Sequence, residues 1–217
     1  AIDLLEMASR AHMQNIIPVV DVALKQAGIA KELITAVAFT QAPGLIGSLL
    51  HYAHVGRSEL NLREVALAHV VQDALEVLMP LFGERSVELV VSPTLPTVRG
   101  DPVLLGELFK NLMHNAVKYN DKAHRRLEVG QMATAESGCV VIFVRDNGMG
   151  IKAEHHDSIF KLFRRLHGRD RCGGGTGVGL TIAKKIVDRH GGQMWVESTV
   201  AEGTTFYCSL RQGPHEG

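Results

Sequence analysis

The chain has 217 residues, 46% of them hydrophobic and 21% charged, and its 23 Lys and Arg balance 23 Asp and Glu. Such a composition suits a soluble globular protein of one domain with an appendage, or two small domains, and excludes disordered and fibrous classes. Zero formal charge argues against a dedicated nucleic-acid or anionic-membrane binder. No apolar run approaches the roughly 20 residues that span a bilayer. Cys139, Cys172 and Cys208 are odd in number and have no paired spacing, which argues for a reducing, cytoplasmic setting over a disulfide framework or a zinc site.

Residues 1–50 are poor in charge and helical in period, except for a strand-like run at 36–40 and the turn signal Gln41-Ala42-Pro43-Gly44. They predict helix, strand, turn and helix. Polar Arg57-Ser58-Glu59 then opens a second unit, with a short strand near 60–64 and a helix carrying Ala66, Val70, Val71, Ala74, Leu75 and Leu78 at helical spacing. Alternation over 86–91 predicts a strand, and Pro93 and Pro96 mark a loop after it. Asp101-Pro102 is a helix start, Asp as cap and Pro at the first helical position, and that helix extends to about Tyr119. Strands are predicted at 126–133, 139–145, 193–198 and 204–210, with a helix over 180–190 stopped by Gly191-Gly192. This order predicts an α+β protein, one mixed sheet with helices on one face.

At 100° per residue, Asn111, Asn115 and Lys118 share one edge of the 101–119 helix, beside the stripe Leu104, Leu105, Leu108, Leu112 and Ala116. Two amides and an amine project together, although a plain amphipathic helix has such a polar shoulder too. The Asn115 carbonyl oxygen suits a hard cation such as Mg²⁺ whose other ligands are phosphate oxygens and water. Asp146-Asn147-Gly148-Met149-Gly150 follows directly on a strand, where a buried carboxylate can accept from an exocyclic amine and glycines allow tight turns. Read alone, that segment is equally a strand-ending turn. Residues 173–180, Gly-Gly-Gly-Thr-Gly-Val-Gly-Leu, enter a helix as a glycine-rich loop whose backbone N–H groups favour phosphate. It is neither a P-loop nor a strand-led dinucleotide fingerprint.

In this order the three segments form a much more specific pattern than any one of them. Residues 49–211 closely resemble the catalytic, ATP-binding domain of bacterial sensor histidine kinases, of the GHKL superfamily with its Bergerat fold, a two-layer α/β sandwich. The N box is Glu-Leu-Phe-Lys-Asn-Leu-Met-His-Asn-Ala-Val-Lys-Tyr at 107–119, the G1 box Asp146 to Gly150, the F box Ile-Phe-Lys-Leu-Phe at 159–163, and the G2 box Gly-Thr-Gly-Val-Gly-Leu at 175–180. The tracts at 163–170, 184–192 and 195–198 look most like phytochrome-type kinases.

The resemblance implies ATP and Mg²⁺ as cofactors. It implies that Asp146 binds the adenine amine within a loop shaped by Gly148 and Gly150, that Asn115 coordinates Mg²⁺, and that Tyr119 packs at the base. Asn111 and Lys118 would approach the phosphates, and Arg164 or Arg165 the γ-phosphate. Phe160 and Phe163 of the F box, with Gly175, Thr176, Gly177, Val178, Gly179 and Leu180 of the G2 box, complete the implied nucleotide site. Gyrase-like and MutL-like members carry a water-activating Glu four residues before the metal-binding Asn. Here that residue is Asn111, and an amide is no general base, so phosphotransfer is expected over rapid hydrolysis.

Histidine kinases carry the phosphoacceptor His on a helical hairpin, usually with an acid next. Of the 11 His here, only His156 and His215 precede an acid, neither in a hairpin position, while His12, His51 and His54 lie upstream without one. The acceptor hairpin and the response regulator are therefore expected as partners in trans or in a missing segment. With no hairpin of its own, the chain is expected to be a monomer or weak dimer. Residues 8–50 instead resemble an early segment of TsaD-type tRNA threonylcarbamoyltransferases, without that family's opening phosphate-loop strand or downstream His pair. The expectation is a composite chain: residues 1–50 TsaD-like, 51–62 the end of a hairpin helix and linker, 63–211 the kinase-type domain, 212–217 a tail. The alternatives are a nucleotide-binding module without turnover and, last, a tRNA-modifying protein.

Overall fold

The computed structural model describes residues 44–83, 86–132, 134, 138–162, 164 and 177–213, and the expected elements within 1–43 lie outside them. The chain divides into two units, Ala1–Arg57 and Ser58–Gly217. Within the first, helix α1 spans Gly44–Arg57 and runs unbroken through residue 50. No helix among the described residues is long and apolar enough to cross a membrane.

The second unit starts with strand β1, Arg63–Ala66, followed by helix α2, Leu67–Gly83. The strand expected near 60–64 is thus displaced by about one turn of pleat toward α2. β1 pairs antiparallel with β3, Thr97–Gly100, from Arg63 opposite Gly100 to Ala66 opposite Thr97. The sequence predicts only a loop here, and one sheet; the described residues form two. Four residues between Pro96 and Asp101 carry too little alternation to stand out, and β3 is held by tertiary bonds, Leu67 N–H to Pro96 C=O at 3.1 Å and Gly213 N–H to Thr97 C=O at 3.1 Å.

Helix α3, Pro102–Lys118, begins as expected: the Asp101 carboxylate accepts from Val103 N–H at 3.0 Å and Leu104 N–H at 3.3 Å, with Pro102 at the first position. Its apolar face, Leu104, Leu105, Leu108, Phe109, Leu112, Met113, Ala116 and Val117, is buried. Each such side chain contributes roughly 1.5–3 kcal/mol of burial free energy for the larger residues. The main sheet runs β2-β4-β5-β7-β6, with β2 Val87–Val91, β4 Arg125–Met132, β5 Cys139–Asp146, β6 Met194–Thr199 and β7 Gly203–Arg211. β2 and β4 are parallel because the chain crosses over through α3 between them; the other pairs are antiparallel. α3 lies against β4 and β5, between α2 and helix α4, Gly179–Arg189, which covers β6 and β7. Period-2 alternation sends Val140, Ile142 and Val144 of β5 and Phe206, Cys208 and Leu210 of β7 into this interface, where all are buried.

The opposite face of the sheet is polar and aromatic. Trp195 stacks on Tyr207 at 5.2 Å and 11°, Phe143 lies 6.5 Å from Tyr207, and Phe143 covers Gly130, where a Cβ would fall 2.4 Å from its ring. Arg126 bridges Glu88 and Glu128, and Arg145 reaches Glu128, at 3.6–3.9 Å.

The far end of α4 is wired to the start of the unit. Arg189 donates to the Ser58 hydroxyl at 3.2 Å and to the Ser58 carbonyl. Buried His190 accepts from Asp101 N–H on Nε2 at 2.9 Å, which puts its proton on Nδ1, facing Ile186 C=O at 2.7 Å. Asp101 also accepts from Asn61 N–H at 3.0 Å, so one carboxylate ties the entering chain to the start of α3.

Candidate functional site

A cleft of about 610 Å³, part of it open to solvent, lies between the end of α3, the ends of β5 and β7, and the start of α4. Its walls are Asn115, Tyr119, Asp146, Gly150, Ile151, Ile159, Arg164, Leu180, Thr204 and Phe206. Segments far apart in sequence, such as Tyr119 and Asp146, thus meet in one concave surface, because α3 and β5 both end at its rim.

Asp146 ends β5 opposite Thr204 of β7. Burial pushes its carboxyl up from an ordinary 3.8 to about 6, against the opposing pull of the Gly148 and Thr204 backbone N–H groups that bond it; the Gly148 bond is 2.8 Å. A carboxylate so held has fixed orientation and is poorly solvated, and a ligand N–H can supply what water does not.

The glycines of the loop serve the fold at this end. Gly148 is buried and off the cleft wall: a Cβ there would lie 2.6 Å from Tyr119 C=O, while Met149 N–H bonds that carbonyl at 3.1 Å. Gly150 has φ +70° and lines the cleft, and its Cβ would fall 2.0 Å from Thr199 C=O. The turn 199–203 is bound in return, Ala201 N–H to Met149 C=O at 2.8 Å. Ser198 closes the circuit, accepting from Ile151 N–H at 2.8 Å and donating to Gly203 C=O at 2.7 Å.

On α3, Asn115 lines the cleft, and Asn111, one turn earlier, meets the start of α4: a Cβ on Gly179 would stand 3.0 Å from its Oδ1. The Lys118 ammonium stands 5.3 Å from the centre of the Tyr119 ring, within cation–π range. Gly177 adopts φ +70°, Val178 is buried, and α4 starts at Gly179 with no side-chain cap and no acid in its first turn. Leu180 enters the wall. Arg164 is exposed at the rim. Phe160 is not in the wall; it packs edge-on against Phe206, which is, at 6.3 Å, with the Lys184 ammonium 5.8 Å from its ring. Phe163, Arg165, Gly175 and Thr176 lie outside the described residues.

Sequence reading missed four wall residues, Ile151, Ile159, Thr204 and Phe206. Ile159 sits in the F box, and Ile151 directly after the G1 box, so proximity to those motifs was a usable signal. Thr204 and Phe206 became visible only through the pairing of β7 with β5. Among the described residues no group of three or more His, Cys, Asp or Glu stands together as a metal cage. The oxygen that α3 brings to the wall is the neutral amide carbonyl of Asn115, which fits a hard cation bringing most of its ligands from phosphate and water.

This arrangement is that of a known family. The family model described as histidine kinase-, DNA gyrase B-, and HSP90-like ATPase matches residues 100–214, more than half of the chain, and the protein belongs to that family. Within it, the match is to the ATP-binding catalytic domain of sensor histidine kinases. Cyanobacterial phytochrome B of Nostoc sp. (strain PCC 7120) is 44% identical over 182 residues, 83% of this chain and 24% of that protein. The methanogenesis regulatory histidine kinase FilI of Methanothrix harundinacea is 33% identical over 167 residues, 76% of this chain and 18% of that protein. Mycobacterial sensor histidine kinase MprB shares the fold with a TM-score of 0.60 at 27% identity, over 71% of this chain and 99% of that one. The chain spans between 18% and 44% of the length of the curated relatives it matches. Residues 6–61 match a second model, tRNA N6-adenosine threonylcarbamoyltransferase, a similarity confined to that segment.

Proposed function

We propose that residues 63–211 form a Bergerat-fold domain that binds ATP with Mg²⁺ in the cytoplasm and transfers the γ-phosphoryl group to a histidine on a separate hairpin, from which a response regulator takes it. The observation that carries this reading is the cleft itself: Asn115, Tyr119 and Asp146, from two separate motifs, stand in one wall with Leu180 of a third. The Asp146 carboxylate, ionised above about pH 6, accepts from the exocyclic amine of adenine. Tyr119, Ile151, Ile159 and Phe206 flank the ring, and Gly150 lines the cleft beside Asp146.

The phosphates extend toward the uncapped start of α4, where backbone N–H groups and the helix dipole favour anions. Gly175, Thr176, Gly177, Val178 and Gly179 of the G2 box are assigned to phosphate binding, and Phe160 and Phe163 of the F box to the nucleotide site. Asn115 holds Mg²⁺ through its side-chain oxygen; the ion, when bound, neutralises phosphate charge. Asn111 and Lys118 approach the phosphates, and Arg164 or Arg165 meets the γ-phosphate. Catalysis is then positioning and charge neutralisation. Because Asn111 cannot take a proton from water, transfer is favoured over hydrolysis.

Calorimetric titration of ATP and ADP, with and without Mg²⁺, on the wild-type chain and Asp146→Asn tests the pocket. Metal-dependent binding lost in the variant is the expected result; no binding by the folded wild type overturns the reading. Labelling of a separately supplied acceptor hairpin from ATP tests transfer, and binding without labelling at saturating nucleotide makes the domain a binding module. Residues 1–50 are taken as a TsaD-like segment, 51–62 as the linker and 212–217 as a tail, a composite chain in which the N-terminal segment has no activity of its own.

A further inference from the structure

Next to Tyr119 and Asp146 in the chain stands a pair of side-chain amides outside the cleft wall, Asn120 buried and Asn147 half-buried. Asn120 is 5% exposed and follows Tyr119, the last turn of α3. Its Nδ2 donates to Asn147 Oδ1 at 2.8 Å, and its Oδ1 accepts from Lys122 N–H at 3.1 Å. Asn147 Oδ1 also accepts from Arg126 N–H at 2.8 Å, and its Nδ2 donates to His124 C=O at 2.9 Å. All four polar atoms of the two amides are engaged, and since Arg126 N–H can only donate and His124 C=O only accept, the Asn147 amide has one satisfied orientation. The main chain repeats the tie: Asn120 C=O accepts from Arg125 Nε at 3.0 Å, and Met149 N–H bonds Tyr119 C=O.

We infer that the Asn120–Asn147 pair is the positioning clamp of the base subsite: it sets the spacing between the end of α3, with Asn115 and Tyr119, and the end of β5, with Asp146, and through that spacing sets the preference for a purine bearing an exocyclic amine. This rests on the nucleotide reading above. The two walls come from elements that share no ladder, so beyond the packing of α3 on β4 and β5 the distance between Tyr119 and Asp146 is set by what joins 119–120 to 146–149. The amide pair is the side-chain part of that join. Neither residue touches the ligand; both act through the placement of others. Hypoxanthine presents a carbonyl where adenine presents an amine, and a carbonyl held against the Asp146 carboxylate is repelled. A wall free to shift relaxes that discrimination.

The test compares ATP with inosine triphosphate on the full chain, wild type against Asn147→Ala and Asn120→Asp. Asn120→Asp keeps the shape and the bond from Lys122 N–H but turns an oxygen on Asn147 Oδ1. Both variants are expected to lose about tenfold in the ATP preference. Asn147→Asp, which keeps both bonds accepted by Oδ1, is expected to retain more of it than Asn147→Ala, so a loss of fold in one variant does not end the test. Hydrogen exchange at the Gly148 and Met149 amides, read without nucleotide, is expected to quicken by about the same factor in Asn120→Asp. Folded variants with wild-type preference and wild-type exchange overturn the clamp. A wild-type chain that binds neither nucleotide overturns the nucleotide reading instead, and the exchange rates alone then decide whether the pair holds the two ends together.

Discussion

The two ends of the cleft are built on opposite terms. At the Asp146 end nearly every polar group already has a partner: the carboxylate takes two backbone N–H groups, Asn147 is bonded on both its atoms, and Gly148, Gly150 and Gly203 admit carbonyls at distances no Cβ permits. At the α4 end, Val178 offers no side-chain cap and no acid enters the first turn, so among the described residues no side-chain anion is bonded to the N–H groups of the helix start. One end is shaped in advance for a flat, neutral group that needs a single oriented acceptor. The other presents positive potential whose partner must be brought in. A ligand that is aromatic at one end and polyanionic at the other matches both.

Substituting the glycines separates the two ends most strongly. Gly150→Ala sets a methyl 2.0 Å from Thr199 C=O at φ +70° and is expected to cost about 3 kcal/mol or more in urea unfolding, because main chain must move. Gly177→Ala, also at φ +70°, is expected to cost about 1–2 kcal/mol, with its larger effect on nucleotide affinity. Equal losses of stability would erase the contrast.

Next in size is the effect of Asp146 on stability. Its folded carboxyl titrates at about 6 against 3.8 unfolded, so the native state holds the proton more tightly. The stabilisation is complete below pH 4 and is lost as pH rises through about 6; the shift corresponds to about 3 kcal/mol. Asp146→Asn is expected to be about 2 kcal/mol more stable than wild type at pH 8, after roughly 1 kcal/mol for the weakened bond from Thr204 N–H, and about 1 kcal/mol less stable below pH 4, where wild type keeps its full proton-linked stabilisation. Urea midpoints across this range check the sign, and a variant less stable at pH 8 contradicts it.

The same titration governs binding. ADP affinity is expected to rise by up to about tenfold per pH unit below 6, as the carboxylate ionises, and to level off above pH 7. Calorimetry at three pH values reads this directly, and a flat profile would remove Asp146 from adenine recognition. The smallest effect is placed farthest away: Arg189→Ala loses the two bonds to Ser58 and is expected to cost about 1–2 kcal/mol while changing nucleotide affinity by less than about twofold. A larger change in affinity would mean that the two ends of α4 are coupled.

Helix α3 was legible almost to the residue because three signals agree there: Asp101 as cap, Pro102 at the first position, and a stripe of Leu at helical spacing. β3 was not, since its four residues become a strand only by pairing with β1. The triple pattern of the N, G1 and G2 boxes was visible as a pattern and led to the family. Asn120 and Asn147, however, read as ordinary loop polar residues, and Thr204 and Phe206 as ordinary strand positions. Side-chain amides become informative only when the groups they face are known.

The amino-acid order by itself determined which residue types stand at the ends of α3, β5 and the loop before α4, because caps, helical and strand periods, and glycine spacing are local properties of the chain. Tertiary structure alone decided that these ends converge on one cleft, that Asp146 is buried enough to titrate near 6, and that Gly148 and Gly150 make room for backbone. Those facts depend on strand pairing and on which helix covers which part of the sheet, and such contacts join residues tens of positions apart through solvent exclusion and hydrogen bonding that no local window contains.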